Sequence, residues 1–307
     1  MIEGIHDAVS DVLAIVKMRG EFFCSGKFSA DWSIGFHRPY SHFHILERGS
    51  AWLTIDGEDA VQLKAGDLVI LPLGAGHVLS SHPGLKSVRL EDVIGSAHSR
   101  GTLFQIGDGD DTKVVCGEFS FEGALASRLL AVLPRVLHLR LDPGQPQEWL
   151  QLSCRFLVNE AQAARPGSAI TIARLLDLLF ILAVRDWGAR NSRGLGWLGG
   201  LGDTSIGKAL SAIHGNPAKG WTVTELARVS SLSRSAFANR FNQNVGSPPL
   251  KYLASWRLNL AAEYLRADPS RVGEIAQRVG YGSEAAMTRA FKIQFGVTPG
   301  QFRRMNT

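Results

Sequence analysis

The feature that most limits what this chain can fold into is a repeat near its C-terminus. Leu226-Ala227 recurs as Ile275-Ala276, Leu232 as Tyr281, and Phe237 and Phe241 as Met287 and Phe291, at a period of 49 to 50 residues. The run Gly246-Ser247-Pro248-Pro249-Leu250-Lys251-Tyr252 recurs as Gly296-Val297-Thr298-Pro299-Gly300-Gln301-Phe302. Each unit has the grammar of two short helices about a tight turn. In the first, Thr222-Val223-Thr224-Glu225 is a capping box, Ser230 to Leu232 is the turn, and Ser233 caps a second helix through Phe241. In the second, a helix over about Val272 to Val279 is followed by Gly280-Tyr281-Gly282, and Ser283 caps a helix to Phe295. Small residues at Ala227 and Ala276 let each helix pair cross closely. Between the units, Leu253, Trp256, Leu260, Ala261 and Leu265 recur with helical period, which predicts a rod over Lys251 to Arg266 of about 24 Å.

Charge points to the partner of this repeat. Residues 205–307 hold 14 Lys and Arg against 5 Asp and Glu, a net of +9, whereas the whole chain nets +5. A basic tail on an acidic body suits a polyanion. A solvated helical bundle that is merely basic is the plain alternative. The second helix of a helix-turn-helix enters the DNA major groove with its N-terminal part at the base edges. The outward positions of the first unit are Arg234, Ser235, Ala238, Asn239 and Arg240, and of the second Glu284, Ala285, Thr288, Arg289 and Lys292. Arg and Asn read guanine and adenine edges, and Lys suits phosphate.

The stretch Ile275-Ala276-Gln277-Arg278-Val279-Gly280-Tyr281, continuing through Phe291-Lys292 to Phe295-Gly296-Val297-Thr298-Pro299, closely resembles the second half of AraC/XylS-type DNA-binding domains. The resemblance spans about residues 205–305. It implies a bacterial transcription regulator, acting on double-stranded promoter DNA and with RNA polymerase, whose two units (about 222–242 and 272–295) contact adjacent grooves. Carried over by position, Ser235, Asn239, Glu284, Ala285, Thr288 and Arg289 are the base-facing residues. Ser235, Ala238 and Ala285 are small where bulkier readers are common, so direct readout there is expected to be sparse.

The N-terminal half has a different texture. From about Phe28 to Phe121, short alternating runs such as Ala51 to Ile55 and Val61 to Leu63 are separated by Asp56-Gly57 and Lys64-Ala65-Gly66-Asp67, the pattern of an antiparallel sandwich or barrel. Gly66-x5-Pro72-x-Gly74-x2-His77, with His42-Phe43-His44 upstream, resembles the two motifs of the cupin superfamily over about residues 20–120. In regulators such a domain commonly senses a small molecule. Metal-holding cupins pair a His-x-His with a Glu and the second-motif His. Imidazoles two apart on a strand point the same way, so His42 and His44 are candidates to share Zn²⁺ or Cu²⁺ with His77. The expected Glu is missing, since Glu47 follows His44 too closely. The alternative is that the histidines line a ligand pocket. A metal-dependent cupin enzyme with an accessory DNA-binding domain is the rival function.

Three cysteines at wide spacing give no disulfide framework. Cys24, read as preceding the first barrel strand, and Cys116 in Val115-Cys116-Gly117, together with the helical ending Ala183-Val184-Arg185-Asp186-Trp187, resemble the reactive-chlorine-responsive members of the AraC family. There, cysteine oxidation alters DNA binding. Inert buried thiols are the plain alternative, for Cys154 above all.

From about 146 to 190 the period becomes helical. Trp149, Leu152, Phe156 and Leu157 form one stripe, and the second helix, about Ala169 to Trp187, is apolar enough to pack in a core or at a homodimer seam. Six glycines within residues 188–203 mark a linker. The expected architecture is an α+β chain of two domains. Residues 1–190 form a cupin-like sensor barrel with its helical pair, 191–204 a Gly-rich linker, and 205–307 an all-α tandem helix-turn-helix domain. No apolar run approaches 18 residues, and Glu3, Asp7 and Asp11 are unlike a basic signal-peptide start, so a soluble, cytoplasmic protein is expected.

Overall fold

The computed structural model describes residues 12, 16–37, 40–94, 102–123, 126–140, 148–163, 165–190, 198 and 203–305. Most of the Gly-rich segment expected as a linker (191–197 and 199–202) lies outside the described residues. The described residues divide into two compact units: those of 18–121 with 133–184, and those of 185–307 with 122–132.

The first unit is built from β1 (Lys17–Phe28), β2 (Ser33–Phe36), β3 (Ser41–Arg48), β4 (Ser50–Ile55), β5 (Val61–Lys64), β6 (Leu68–Leu71), β7 (His77–Ser80), β8 (Val88–Arg89), α1 (Leu90–Ile94), β9 (Thr102–Ile106), β10 (Thr112–Glu122) and β11 (Leu137–Leu139). They form a six-stranded sheet in the order β11-β6-β3-β10-β1-β9 and a five-stranded sheet in the order β5-β4-β7-β2-β8. Alternation along β4 turns Ala51, Leu53 and Ile55 inward, as the sequence pattern requires, and Ala51 and Leu53 join Phe28, Trp32, Ile34, Leu46 and Val69 in one core cluster. The expected all-antiparallel arrangement is corrected at two places: β1 pairs parallel with β9, and β2 with β8. Cys24 is likewise corrected. It lies inside β1, a strand whose sequence is interrupted by Gly20 and Gly26 and so shows no clean alternation.

Two further helices, α3 (Glu148–Ala163) and α4 (Ser168–Arg190), follow α2 (Ala126–Val132) and β11. The expected stripe on α3 splits: Cys154, Leu157 and Val158 are buried, whereas Leu152 and Phe156 are exposed at 63% and 53%. On α4, Ile172, Leu176, Leu179, Phe180 and Ala183 are buried, and Phe180 packs on Phe119 and Phe121 with ring centroids 5.3 and 5.1 Å away. Ile170 and Leu178 of the same helix face outward.

The C-terminal helices are α5 (Thr204–Gly215), α6 (Val223–Val229), α7 (Arg234–Val245), α8 (Pro249–Ala267), α9 (Val272–Arg278), α10 (Glu284–Phe295) and α11 (Pro299–Met305). The capping box is present: the Glu225 backbone N–H donates to Thr222 Oγ1 at 3.2 Å and the Thr222 N–H to Glu225 Oε2 at 2.9 Å. Ser233 and Ser283 cap α7 and α10 through the Ala236 and Ala286 N–H groups. The rod α8 starts on Pro249 and buries the whole predicted stripe. Its 19 residues extend about 28 Å.

The two turns solve one backbone problem differently. Gly280 has φ 90°, and a Cβ there would meet the Ala218 backbone. The first unit places Ser231 at the matching position, at φ 56° with its side chain exposed. A left-handed non-glycine residue costs roughly 1–2 kcal/mol. Ser231→Gly is therefore expected to raise the stability of the domain by up to about 1 kcal/mol, and Gly280→Ser to lower it by more, both read by denaturant titration.

Candidate nucleic-acid interface and the buried histidine–thiol row

Each recognition helix is fixed from beneath. Phe237 and Phe241 of α7 and Met287 and Phe291 of α10 are fully buried, one turn apart in each helix. Phe237 and Phe241 lie 5.5 Å apart by ring centroid, and Phe241 meets Tyr252 of α8 edge-on at 5.8 Å. Phe291 contacts Phe295 and Phe302 at 4.4 and 5.4 Å. With those positions plugged, 100° per residue turns Arg234, Ser235 and Asn239, and Glu284, Ala285, Arg289 and Lys292, to the outside. All seven are exposed; Ala238 and Thr288 are partly covered. Among the described residues Arg234, Arg289 and Lys292 have no carboxylate partner.

Arg240 is exposed by half but differs from these. It shares a flank of α7 with Asn244, and its Nε donates to Asp203 Oδ2. Asn244 Nδ2 donates to the same oxygen at 2.9 Å. Asp203 also caps α5, its Oδ1 accepting from the Ser205 and Ile206 N–H groups at 3.0 and 3.2 Å.

In the barrel, His42 and His44 point inward from β3. The antiparallel register sets His44 opposite Cys116 and His42 opposite Glu118 on β10, and Phe36 opposite His77 across β2 and β7. Side chains facing one another across a ladder meet, and these do. His44 Nδ1 is 3.0 Å from Cys116 Sγ, His44 Nε2 is 2.7 Å from His77 Nε2, and His77 Nδ1 is 2.9 Å from the Ala75 carbonyl. Cys24 lies on the neighbouring strand β1, close enough to Cys116 to act on its thiol. His42 Nε2 is 3.7 Å from Glu118 Oε1, and Phe36 stacks on His77 at 4.8 Å.

The tautomers follow from one atom. A carbonyl oxygen only accepts, so His77 carries its hydrogen on Nδ1 and offers a lone pair at Nε2. His44 must then donate from Nε2, which leaves its Nδ1 to accept from the Cys116 thiol. The row runs Cys116 to His44 to His77 to Ala75 in a single direction. Burial holds every member neutral. It drives His77 down to about 3, opposed by the Ala75 hydrogen bond and aided by repulsion from His42 and His37. Burial, then repulsion from His77 and His42, puts His44 well below the usual imidazole range. Burial, then the contact with Cys24, puts the Cys116 thiol well above its usual range. Cys154 is a buried thiol pushed by burial up to about 12. Sequence reasoning missed Glu118, the Ala75 carbonyl and Asp203. The period-2 pairing of His42 with Glu118 carried a signal only once the register was known.

The same architecture recurs among known proteins. A family described as a cupin matches residues 7–189, and one described as a helix-turn-helix domain matches residues 226–305. An AraC-like transcription regulator of Streptomyces lividans is 32% identical over 98% of this chain and 99% of its own. The chain belongs to the AraC-like transcription regulators. The RCS-specific HTH-type transcriptional activator RclR of Escherichia coli K12 is 28% identical over 97% of each chain. The DNA-binding domain of AdpA, solved with a target DNA, is 29% identical over 32% of this chain and 87% of that one, with a TM-score of 0.31.

As an AraC-like regulator with a cupin domain, the chain has a helix-turn-helix domain for DNA and a barrel from a superfamily whose members often hold a metal. The barrel residues do not fit one. His44 and His77 each engage both ring nitrogens, the two facing Nε2 atoms being hydrogen-bonded to each other, and among the described residues no group of three His, Cys, Asp or Glu side chains converges as ligands would. Among the described residues, no helix is long and apolar enough to cross a membrane.

The depressed histidines make the barrel acid-sensitive. Their folded pKa lies below the unfolded one, so the unfolded chain binds more protons and stability falls as pH drops from about 6.5 towards 3. At pH 5 His77 alone is expected to cost about 2 kcal/mol relative to pH 7.5. Unfolding at both pH values should show this difference, and His77→Gln should shrink it by a comparable amount.

Proposed function

We propose that this regulator binds promoter DNA as a homodimer, reads it through α7 and α10, and changes its hold when the barrel receives a small-molecule or oxidant signal. In this reading residues 1–190 are the sensor with a dimerisation segment at about 146–190, 191–202 the linker, and 203–307 the DNA-binding domain, since Asp203 and Thr204, expected in the linker, are the cap and first residue of α5. The observation that carries it is the outward row of Arg234, Ser235 and Asn239 on one serine-capped helix and of Glu284, Ala285, Arg289 and Lys292, with the partly covered Thr288 among them, on the other, each backed by an aromatic core. Two distinct reading faces suit sequence-specific binding, because a non-specific binder needs only phosphate contacts. RNA polymerase is the second macromolecular partner of such a regulator.

The buried thiol pair supports the oxidant branch. At rest Cys116 is a protonated thiol, which leaves it slow towards weak oxidants that require a thiolate. His44 Nδ1 is placed to take its proton. With hypochlorite, two electrons and both thiol protons pass to the oxidant, leaving a Cys24–Cys116 disulfide, chloride and water. The paired ring nitrogens and the relatives' shared role as regulators support a sensing barrel over a catalytic one. Leu152 and Phe156 on α3, and Ile170 and Leu178 on α4, are an exposed apolar set on the helical pair that supports the homodimer. Phe156→Asp is expected to shift the protein to monomer in sedimentation equilibrium.

In vitro selection of DNA sites by the full-length protein tests the core of this reading. A defined motif is expected, and recovery of random sequence would sink it. On the selected site Arg289→Ala should weaken binding by about 1–3 kcal/mol and relax one base position, while Lys292→Ala should flatten the salt dependence. Hypochlorite should change the affinity of the wild type and leave Cys24→Ser and Cys116→Ser unmoved. An equal response in those variants would remove the thiol pair from the sensor.

A further inference from the structure

Helix α7 has three faces: a buried one, an outward one, and a flank formed by Arg240 and Asn244 one turn apart. Asp203 receives both flank side chains on one carboxylate oxygen and two backbone N–H groups on the other. The carboxylate is 9% exposed and the Arg240 side chain 51%. A carboxylate this buried needs its donors, since removing one partner of a covered pair leaves an uncompensated charge.

The matching flank of the second unit is held by neutral groups. At the 50-residue offset Arg240 corresponds to Ala290 and Asn244 to Gln294. Ser255 Oγ donates to Gln294 Oε1 at 2.9 Å, and Gln294 Nε2 donates to Asn259 Oδ1 at 3.0 Å. Neutral amides therefore suffice to dock the flank of such a helix, and the ion pair of the first unit must be explained by something other than docking.

We propose that Asp203 is a positioning residue that masks Arg240, holding its guanidinium against the body of the domain so that this cation makes no phosphate contact when the first unit lies in the groove. The first recognition helix then meets DNA with Arg234 as its one uncompensated cation among the described residues, against Arg289 and Lys292 on the second. The unit with fewer phosphate anchors is the one whose seating is more easily changed.

Counterion release makes the mask measurable, because each phosphate contact steepens the slope of log K against log salt by about 0.9. The probe is a mixed-sequence duplex of about three helical turns, bound by the full-length protein and followed by fluorescence anisotropy at several salt concentrations. Arg240→Gln is expected to leave the slope unchanged. Asp203→Asn keeps a capping acceptor but discards the charge, and it is expected to steepen the slope by about 0.9. The double variant should return to the wild-type slope, a pattern that mere loss of docking does not give. A flatter slope in Arg240→Gln, or an unchanged slope in Asp203→Asn, overturns the proposal. Should Asp203→Asn melt at the assay temperature, Asp203→Ser, another capping residue, takes its place. If neither folds, the Arg240→Gln slope decides. Because the duplex carries no selected site, this outcome is independent of whether Arg289 reads a base.

Discussion

Two aromatic plugs govern the C-terminal half. A helix of twelve residues has little more than three turns, so once Phe237 and Phe241 are seated in a core the direction of every other side chain on α7 follows. Met287 and Phe291 do the same for α10. The seats exist because Ala227 and Ala276 are small enough for the preceding helix to approach, and because Tyr252, Phe295 and Phe302 close the remaining space. The exposed rows, the caps that start each helix, and the flank that meets Asp203 are all downstream of that packing. Protein interiors pack about as densely as organic crystals, so with these four side chains seated Ser235 and Arg289 keep their outward direction.

The barrel obeys a different rule. Beside its apolar core it buries a small polar cluster, and polar groups away from water must find partners. His44, His77 and Cys116 do so by forming one row with one sense of donation, anchored on a backbone oxygen. Low dielectric keeps every group uncharged, and that neutrality is the condition under which a buried row of this kind is stable.

What was legible in the sequence was local. The capping box at Thr222, the serine caps, the turn at Ser230 to Leu232 and the stripe of α8 each depend on residues within a turn or two, and the structure has all of them. The strands β4, β5 and β6 were readable from alternation and turn residues. What the sequence hid was pairing at long range. The strand β1 lacks alternation, and its parallel partner β9 lies far along the chain, so Cys24 seemed to stand outside the barrel when it is inside. The ion pair of Arg240 was hidden too, because its acceptor, Asp203, is 37 residues earlier and carries no motif. On α3 the expected stripe divides, Leu157 being buried and Leu152 and Phe156 exposed, because periodicity names a face without saying what covers it.

The anchor of the histidine row belongs to the main chain of Ala75, and that has an evolutionary corollary. Side chains of the loop between β6 and β7 can drift freely, since no substitution there that preserves the backbone path removes the oxygen on which the polarity of the row depends. The loop's side chains could be replaced while the proton order inside the barrel stayed as it is. Diversity in the loop and constancy at the centre would then coexist in one small domain.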